Sequence, residues 1–138
     1  MKKLFLDTNI LVDLIADRKP HSKFAVAIFT KAEKQKVKLF TSSHSIATCH
    51  YLLKKYMPEK KLRIVLYNLL DYVEAIAIDE SMLRRGLKSP HKDFEDGLQI
   101  LAAYAVPHID FIVTRNIRDF KTSEITVLSP NEVLMHVN

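Results

Sequence analysis

The sequence predicts an α/β fold in which a mainly parallel sheet is covered by helices on both faces. Three observations carry this expectation. Short apolar runs suited to buried strands alternate with longer segments of helical spacing along the whole chain. Only two glycines, Gly86 and Gly97, interrupt it, and no repeat, low-complexity tract or Pro/Ser-rich linker divides it. With 138 residues, 48% hydrophobic and 27% charged, it matches one ordinary domain, 1–138, able to bury a core without staples.

The elements follow in order. Residues 3–6 are a short apolar run suited to a buried strand. Asp7-Thr8-Asn9 breaks that run and offers capping side chains to a helix carrying Ile10, Leu11, Leu14 and Ile15. Beyond Pro20, the residues Phe24, Ala25, Ile28 and Phe29 form one helical stripe. Residues 37–41 are β-like, residues 43–56 read as a helix, and Pro58 opens another helix reaching about Tyr72. Residues 73–78 form a strand, and Asp79 or Ser81 starts a short helix that stops near Gly86. Residues 94–105 are a strongly apolar helix, 110–114 and 125–128 are strands, and Pro130 begins a terminal helix. Strands separated by helices imply right-handed crossovers, and ligands of such sheets bind outside the strands' carboxyl ends.

Composition narrows the chemistry. Cys49 is the lone cysteine, which excludes an intramolecular disulfide and a thiolate zinc cluster. The six histidines lack metalloprotease spacing, and there is no glycine-rich phosphate loop. The apolar run after Met1 is too short for a signal peptide, and none approaches the ~18 residues of a membrane span, so a cytoplasmic protein is expected. A net charge of +5 and clusters at 31–38, 54–63 and 84–92 favour contact with polyanions, although each cluster alone is an ordinary solvated face.

Against this basic background, four acids stand where the strands end. Asp7 follows the first strand, Asp93 and Asp96 share a face at the start of the 94–105 helix, and Asp119 follows the 110–114 strand. Singly, each has an ordinary role: Asp7 and Asp93 as helix caps, Asp96 at a helix N-terminus, Asp119 as a partner of Arg115. Together, carboxylates at one sheet edge repel each other unless a cation neutralises them. Hard oxygen donors on an open site suit Mg²⁺ or Mn²⁺, and such an ion can activate water against a phosphodiester without a Ser, Cys or His nucleophile. Thr8, Asn9, Thr114 and Asn116 are placed to orient ligands or water, and Lys54, Lys55 and Arg115 to contact phosphates. The tyrosines 51, 67, 72 and 104 are expected mainly in the core.

The same residues resemble a known family, the PIN-domain nucleases. Leu4-Phe5-Leu6-Asp7-Thr8-Asn9 is similar to its opening motif, Asp93-Phe94-Glu95-Asp96-Gly97 to its acidic helix start, Thr114-Arg115-Asn116-Ile117-Arg118-Asp119 to its late motif, and Leu128-Ser129-Pro130 to its close. The resemblance spans the chain in order. It implies an α/β/α sandwich and a divalent-metal endoribonuclease whose ion is held by Asp7, Asp96 and Asp119, with Asp93 assisting. For short members it also implies the toxin half of a VapC-type toxin–antitoxin pair, commonly a homodimer. The apolar faces of the 24–29 and 46–53 helices are expected to form a homodimer or receive a partner helix, the ordinary alternative being that they cover the sheet. One departure stands out: the family's glutamate in the helix after the second strand aligns with Thr48. The alternative is therefore a degenerate PIN-like domain that binds RNA or a protein partner without cutting.

Overall fold

The computed structural model describes residues 1–138. Five strands, β1 (Lys2–Leu6), β2 (Val37–Ser42), β3 (Val73–Ile76), β4 (Phe111–Val113) and β5 (Val127–Leu128), form one sheet. Its order is β3-β2-β1-β4-β5, and every pairing is parallel. Seven helices connect and cover it: α1 (Thr8–Ala16), α2 (Ser22–Glu33), α3 (Ser43–Leu53), α4 (Glu59–Leu69), α5 (Glu80–Lys88), α6 (Phe94–Tyr104) and α7 (Pro130–Leu134). The expected fold class is observed. No helix is long and apolar enough to cross a membrane.

The two-residue period of β1 assigns its side chains to opposite cores. Leu4 and Leu6 enter the larger core, with Ile10 and Leu11 of α1, Ile28 and Phe29 of α2, Leu53 of α3 and Leu62 of α4. Phe5 enters the other core, with Phe40, Ile112, Phe120 and the residues Ile100, Ala102 and Ala103 of α6. Helix α5 lies outside α6 and approaches closely through Gly86, where a Cβ would stand 3.0 Å from Leu98.

Several boundaries are shorter than the sequence suggests, each for a local reason. β3 stops at Ile76 because the next amides leave the ladder, Ile78 N donating to Ser43 Oγ at 3.0 Å. β4 omits Asp110, whose carboxylate instead accepts from Lys3 N at 2.8 Å. β5 begins late because Ser123 turns the chain, donating to Ile125 O and accepting from Ile125 N. α3 ends at Leu53, whose carbonyl accepts from both Tyr56 and Met57 in a closing turn. A short 3-10 turn at Ile117–Phe120, absent from the sequence reading, carries Asp119.

The tyrosines correct the expectation of core packing. Tyr51, Tyr67, Tyr72 and Tyr104 are all exposed: the aliphatic residues of α3 and α4 already fill the core beneath the first three, and Tyr104 of α6 accepts from Glu124 N through its hydroxyl. The stripe on α2 behaves in the opposite way: Ala25, Ile28 and Phe29 cover the sheet, and Val26 is left outside.

Candidate active site

The chain runs from β1 through β2 and β3 to one side of the sheet, then through β4 and β5 to the other. β1 and β4 are thus neighbours whose connections leave in opposite directions, and the crevice at their carboxyl ends is where such sheets bind ligands. Asp7 occupies that point. Its amide extends the ladder by donating to Val113 O at 3.0 Å, and its side chain caps α1, accepting from Thr8 N at 2.8 Å.

Asp7 is nearly fully buried, so its orientation is fixed by the groups around it. One carboxylate oxygen also accepts from Gln99 Nε2 at 3.2 Å, and the other accepts from Thr114 Oγ1 at 2.7 Å. Gln99 is held in turn: Ser42 Oγ donates to its carbonyl at 2.5 Å, and its amide donates to Ser45 Oγ at 2.7 Å. Thr8 and Ser45 share a hydroxyl hydrogen bond of 2.9 Å. The result is a dry polar floor of Ser42, Ser45, Gln99 and Thr114 beneath one carboxylate, the kind of network that fixes a geometry when every member is satisfied. Sequence reasoning missed Gln99, Ser42 and Ser45 as site residues. The available signal was Gln99 itself, a lone amide in an apolar helix, on the same face as Asp96.

The cleft above this floor is lined by Asp7, Thr8, Asn9, Asn116, Asp96 and Gln99, with Arg18, His44, Thr48 and Glu95 at its sides. Asp96 is half-buried there, and its carboxyl is pushed up to about 7 by burial first, then by the negative charges of Asp7, Asp93, Asp119 and Glu95. Burial likewise raises Asp7, against its hydrogen bonds from Thr114, Gln99 and Thr8, with the charge of Asp119 adding to the rise. Asp93 and Asp119 are exposed and stand outside the cleft lining. Asp93 accepts from Asp96 N at 3.0 Å as the cap of α6, so its ordinary capping role is real. Among the supporting residues, Asn9 Nδ2 donates weakly to Thr114 Oγ1 at 3.4 Å, and Asn116 N donates to the same oxygen at 3.0 Å.

The basic residues are arranged differently. Arg115 forms a forked pair with Asp13, donating from Nε at 2.6 Å and Nη2 at 3.2 Å. Asp13 is buried, and Arg18 Nε also stands 3.7 Å from its carboxylate, so two cations neutralise this one charge. The pairing of Arg115 with Asp119 is therefore replaced by a structural one. Lys54 and Lys55 lie beyond the far end of α3, about 15 Å along the helix from His44. Lys54 rests over the ring of Tyr51. Arg18, which the sequence reading passed over, is the cation that lines the acid cleft.

The donor set fits a hard divalent ion: carboxylates crowded enough to resist ionisation, with amide and hydroxyl oxygens beside them. No group of three or more His, Cys, Asp or Glu side chains is gathered closely enough to hold a metal ion. An open arrangement of one or two carboxylates completed by waters is the mode Mg²⁺ favours.

Because the raised carboxyls disfavour their own charge, the metal-free protein is expected to be pH-sensitive. The unfolded chain ionises Asp96 near 3.8, whereas the folded protein holds its proton to about 7. The folded state therefore binds more protons across that window, and its stability falls as pH rises through it. Melting temperatures measured in EDTA should decline from pH 5 to pH 8. Asp96→Asn should flatten that decline, and an unchanged slope in the variant would refute the assignment.

The chain is 26% identical over 136 residues to Ribonuclease VapC1 of Aquifex aeolicus (strain VF5), covering 95% of this chain and 92% of that protein. Its fold is similar to that in VapBC2 of Rickettsia felis bound to a promoter DNA fragment, with a TM-score of 0.65 and 21% identity over 92% of this chain and 98% of that one. A toxin–antitoxin complex from Klebsiella pneumoniae is similar at a TM-score of 0.61 and 24% identity, covering 92% and 97%. The PIN domain family model matches residues 3–118, from the first strand to one residue short of Asp119, and the chain belongs to the PIN domain family.

Proposed function

We propose that this protein is a divalent-metal-dependent endoribonuclease acting in the cytoplasm as the toxin of a type II toxin–antitoxin pair, residues 1–138 forming its one domain. The observation that carries the reading is the buried, rigidly oriented Asp7 facing a crowded Asp96 at the sheet's switch point. Asp7 and Asp96 would hold Mg²⁺ or Mn²⁺, with Asp119 as a further ligand, and Asp93 would support them by fixing the first turn of α6. When bound, the ion polarises the phosphodiester and supplies a hydroxide-like water. The chain's own part is orientation. Thr114, Gln99 and the Thr8 amide fix Asp7, and Asn9 and Asn116 hold Thr114 or water beside it. Arg18 stands where a phosphate would enter, with Lys54 and Lys55 as outlying backbone contacts.

An antitoxin partner is supported by the complexes that share the fold and by a groove of about 670 Å³. Val12, Ile15, Leu52, Tyr56 and Met57 make it apolar, and Arg18, Lys55 and Lys61 make its rim basic, which suits an amphipathic helix with acidic flanks. Homodimerisation is the remaining proposal, through faces of α2 and α3 left open at Val26 and Tyr51.

One observation favours a second reading. Thr48 lines the cleft where the family places a carboxylate, so α3 contributes none, and a domain that binds RNA without cutting is the alternative. The two separate in a single assay on a mixed RNA pool. Cleavage with Mn²⁺ that stops in EDTA is the expected result. Cleavage that continues in EDTA would overturn the metal mechanism, and RNA retention without cleavage by the metal-loaded protein would establish the binder.

A further inference from the structure

We propose that the groove running on from the acid cleft is a base-stacking subsite for RNA, in which Tyr51 and Tyr56 carry bases next to the cleaved phosphate. The inference rests on the ribonuclease reading above and deepens it by naming what the substrate's flanking nucleotides touch.

The groove and the cleft are one surface, since Val12, Arg18 and Leu52 line both. The path between them follows α3. Thr48 lines the cleft, Leu52 lies one turn on and lines both, and Tyr51 and Lys55 continue the same stripe into the groove. From His44 to Lys55 this stripe is about 15 Å long. Nucleotides stacked about 3.4 Å apart would place roughly four bases along it. An RNA cut in its interior must continue past the scissile phosphate, and a strand leaving Asp7 and Asp96 along α3 meets exposed aromatic rings.

Tyr51 is 62% exposed and Tyr56 79%, although both line the groove wall with Ile15 and Met57. An aromatic ring left in water at a basic surface is a platform on which a base of any sequence can stack. Lys54 Nζ lies 4.9 Å from the centre of the Tyr51 ring, so a base on that ring has a cation beside it. The charged residues of the groove wall, Arg18, Lys55 and Lys61, are all cations. Lys55 and Lys61 pair with no acid. Arg18 stands 3.7 Å from Asp13, both of whose oxygens Arg115 already engages. These cations are available to phosphates. Rings and unpaired cations together match a single strand, whose bases need π faces and whose phosphates need positive charge. An antitoxin helix seated in the same groove would take the strand's place.

The test measures binding of a short fluorescent oligouridine to the whole protein in EDTA by anisotropy, beside an abasic oligomer of the same length. Tyr51→Ala and Tyr56→Ala should each weaken oligouridine binding by at least about fivefold, the loss expected for one stacked base. Tyr51→Phe and Tyr56→Phe should bind as wild type does, since the ring is kept. Abasic binding should be unchanged in the tyrosine variants. It should weaken in Lys55→Ala and Lys61→Ala, each lowering the salt slope by about one. Unchanged oligouridine affinity in the double Tyr51→Ala/Tyr56→Ala variant would overturn the subsite and leave the groove to a protein helix. An equal loss on the abasic oligomer would overturn it too, as would a loss that accompanies dissociation of a dimer in light scattering, because the rings would then serve the fold or the dimer. The parent reading fails separately: a wild type that stacks oligouridine yet never cuts RNA with Mn²⁺ refutes the nuclease and keeps the subsite.

Discussion

Asp7→Asn and Asp96→Asn should each lower RNA cleavage by about 10³-fold or more, corresponding to roughly 4 kcal/mol of lost transition-state stabilisation. Asp7→Asn is the more informative, because the surroundings can accept the amide. The Asn oxygen can still accept from Thr8 N and Gln99 Nε2, and its new NH₂ faces Thr114 Oγ1, which already accepts from Asn116 N and can accept again by giving up its weak contact with Asn9. Shape and most of the hydrogen bonding survive while the negative charge is lost. The metal-free variant should therefore melt at or above the wild-type temperature, since a carboxyl penalised by burial has been removed. RNA retention should persist or strengthen, because fewer acids oppose the phosphates. Gel analysis of a mixed RNA pool beside a melting curve checks both arms. Full cleavage by a well-folded Asp7→Asn protein would eliminate Asp7 from the mechanism.

The sequence made the frame of this site readable because it depends on local signals. An apolar strand ending in Asp-Thr-Asn must deliver Asp7 to the sheet edge, and a parallel sheet must gather its carboxyl ends. The 93–96 spacing likewise fixed Asp93 as a cap and Asp96 one turn on. What remained hidden depends on distant pairing. Nothing near Arg115 in the chain reveals that its partner is Asp13, 102 residues away. The floor under Asp7 draws Ser42, Ser45, Gln99 and Thr114 from four different elements or their ends, and ordinary serines and glutamines carry no sign of such burial. The tyrosines misled for a similar reason: their bulk suggests core, but α3 and α4 bury Leu53, Leu62 and Leu66 instead and turn the rings outward.

Thr48→Glu should strengthen Mg²⁺ binding by about tenfold, or roughly 1.4 kcal/mol, and should make the protein dependent on that ion for stability. Thr48 is only half-buried and lines the cleft across from Asp96, so a longer side chain has room to extend toward the acids. Without metal, a further carboxylate beside Asp7, Asp96 and Glu95 must repel them, raising Asp96 beyond its present value of about 7. A penalty near 1 kcal/mol would lower the metal-free melting temperature by roughly 3–5 °C for a domain of this size. Mg²⁺ reverses the sign: the ion neutralises the added charge, and binding to the folded state alone raises the melting temperature by mass action. The variant should thus melt below wild type in EDTA and above it in millimolar Mg²⁺. Cleavage should rise with Mg²⁺ if the missing carboxylate limits the native enzyme. A Thr48→Glu protein whose Mg²⁺ affinity matches wild type would mean that this face of α3 does not reach the ion, and that the acids of β1, α6 and the segment after β4 form the whole site.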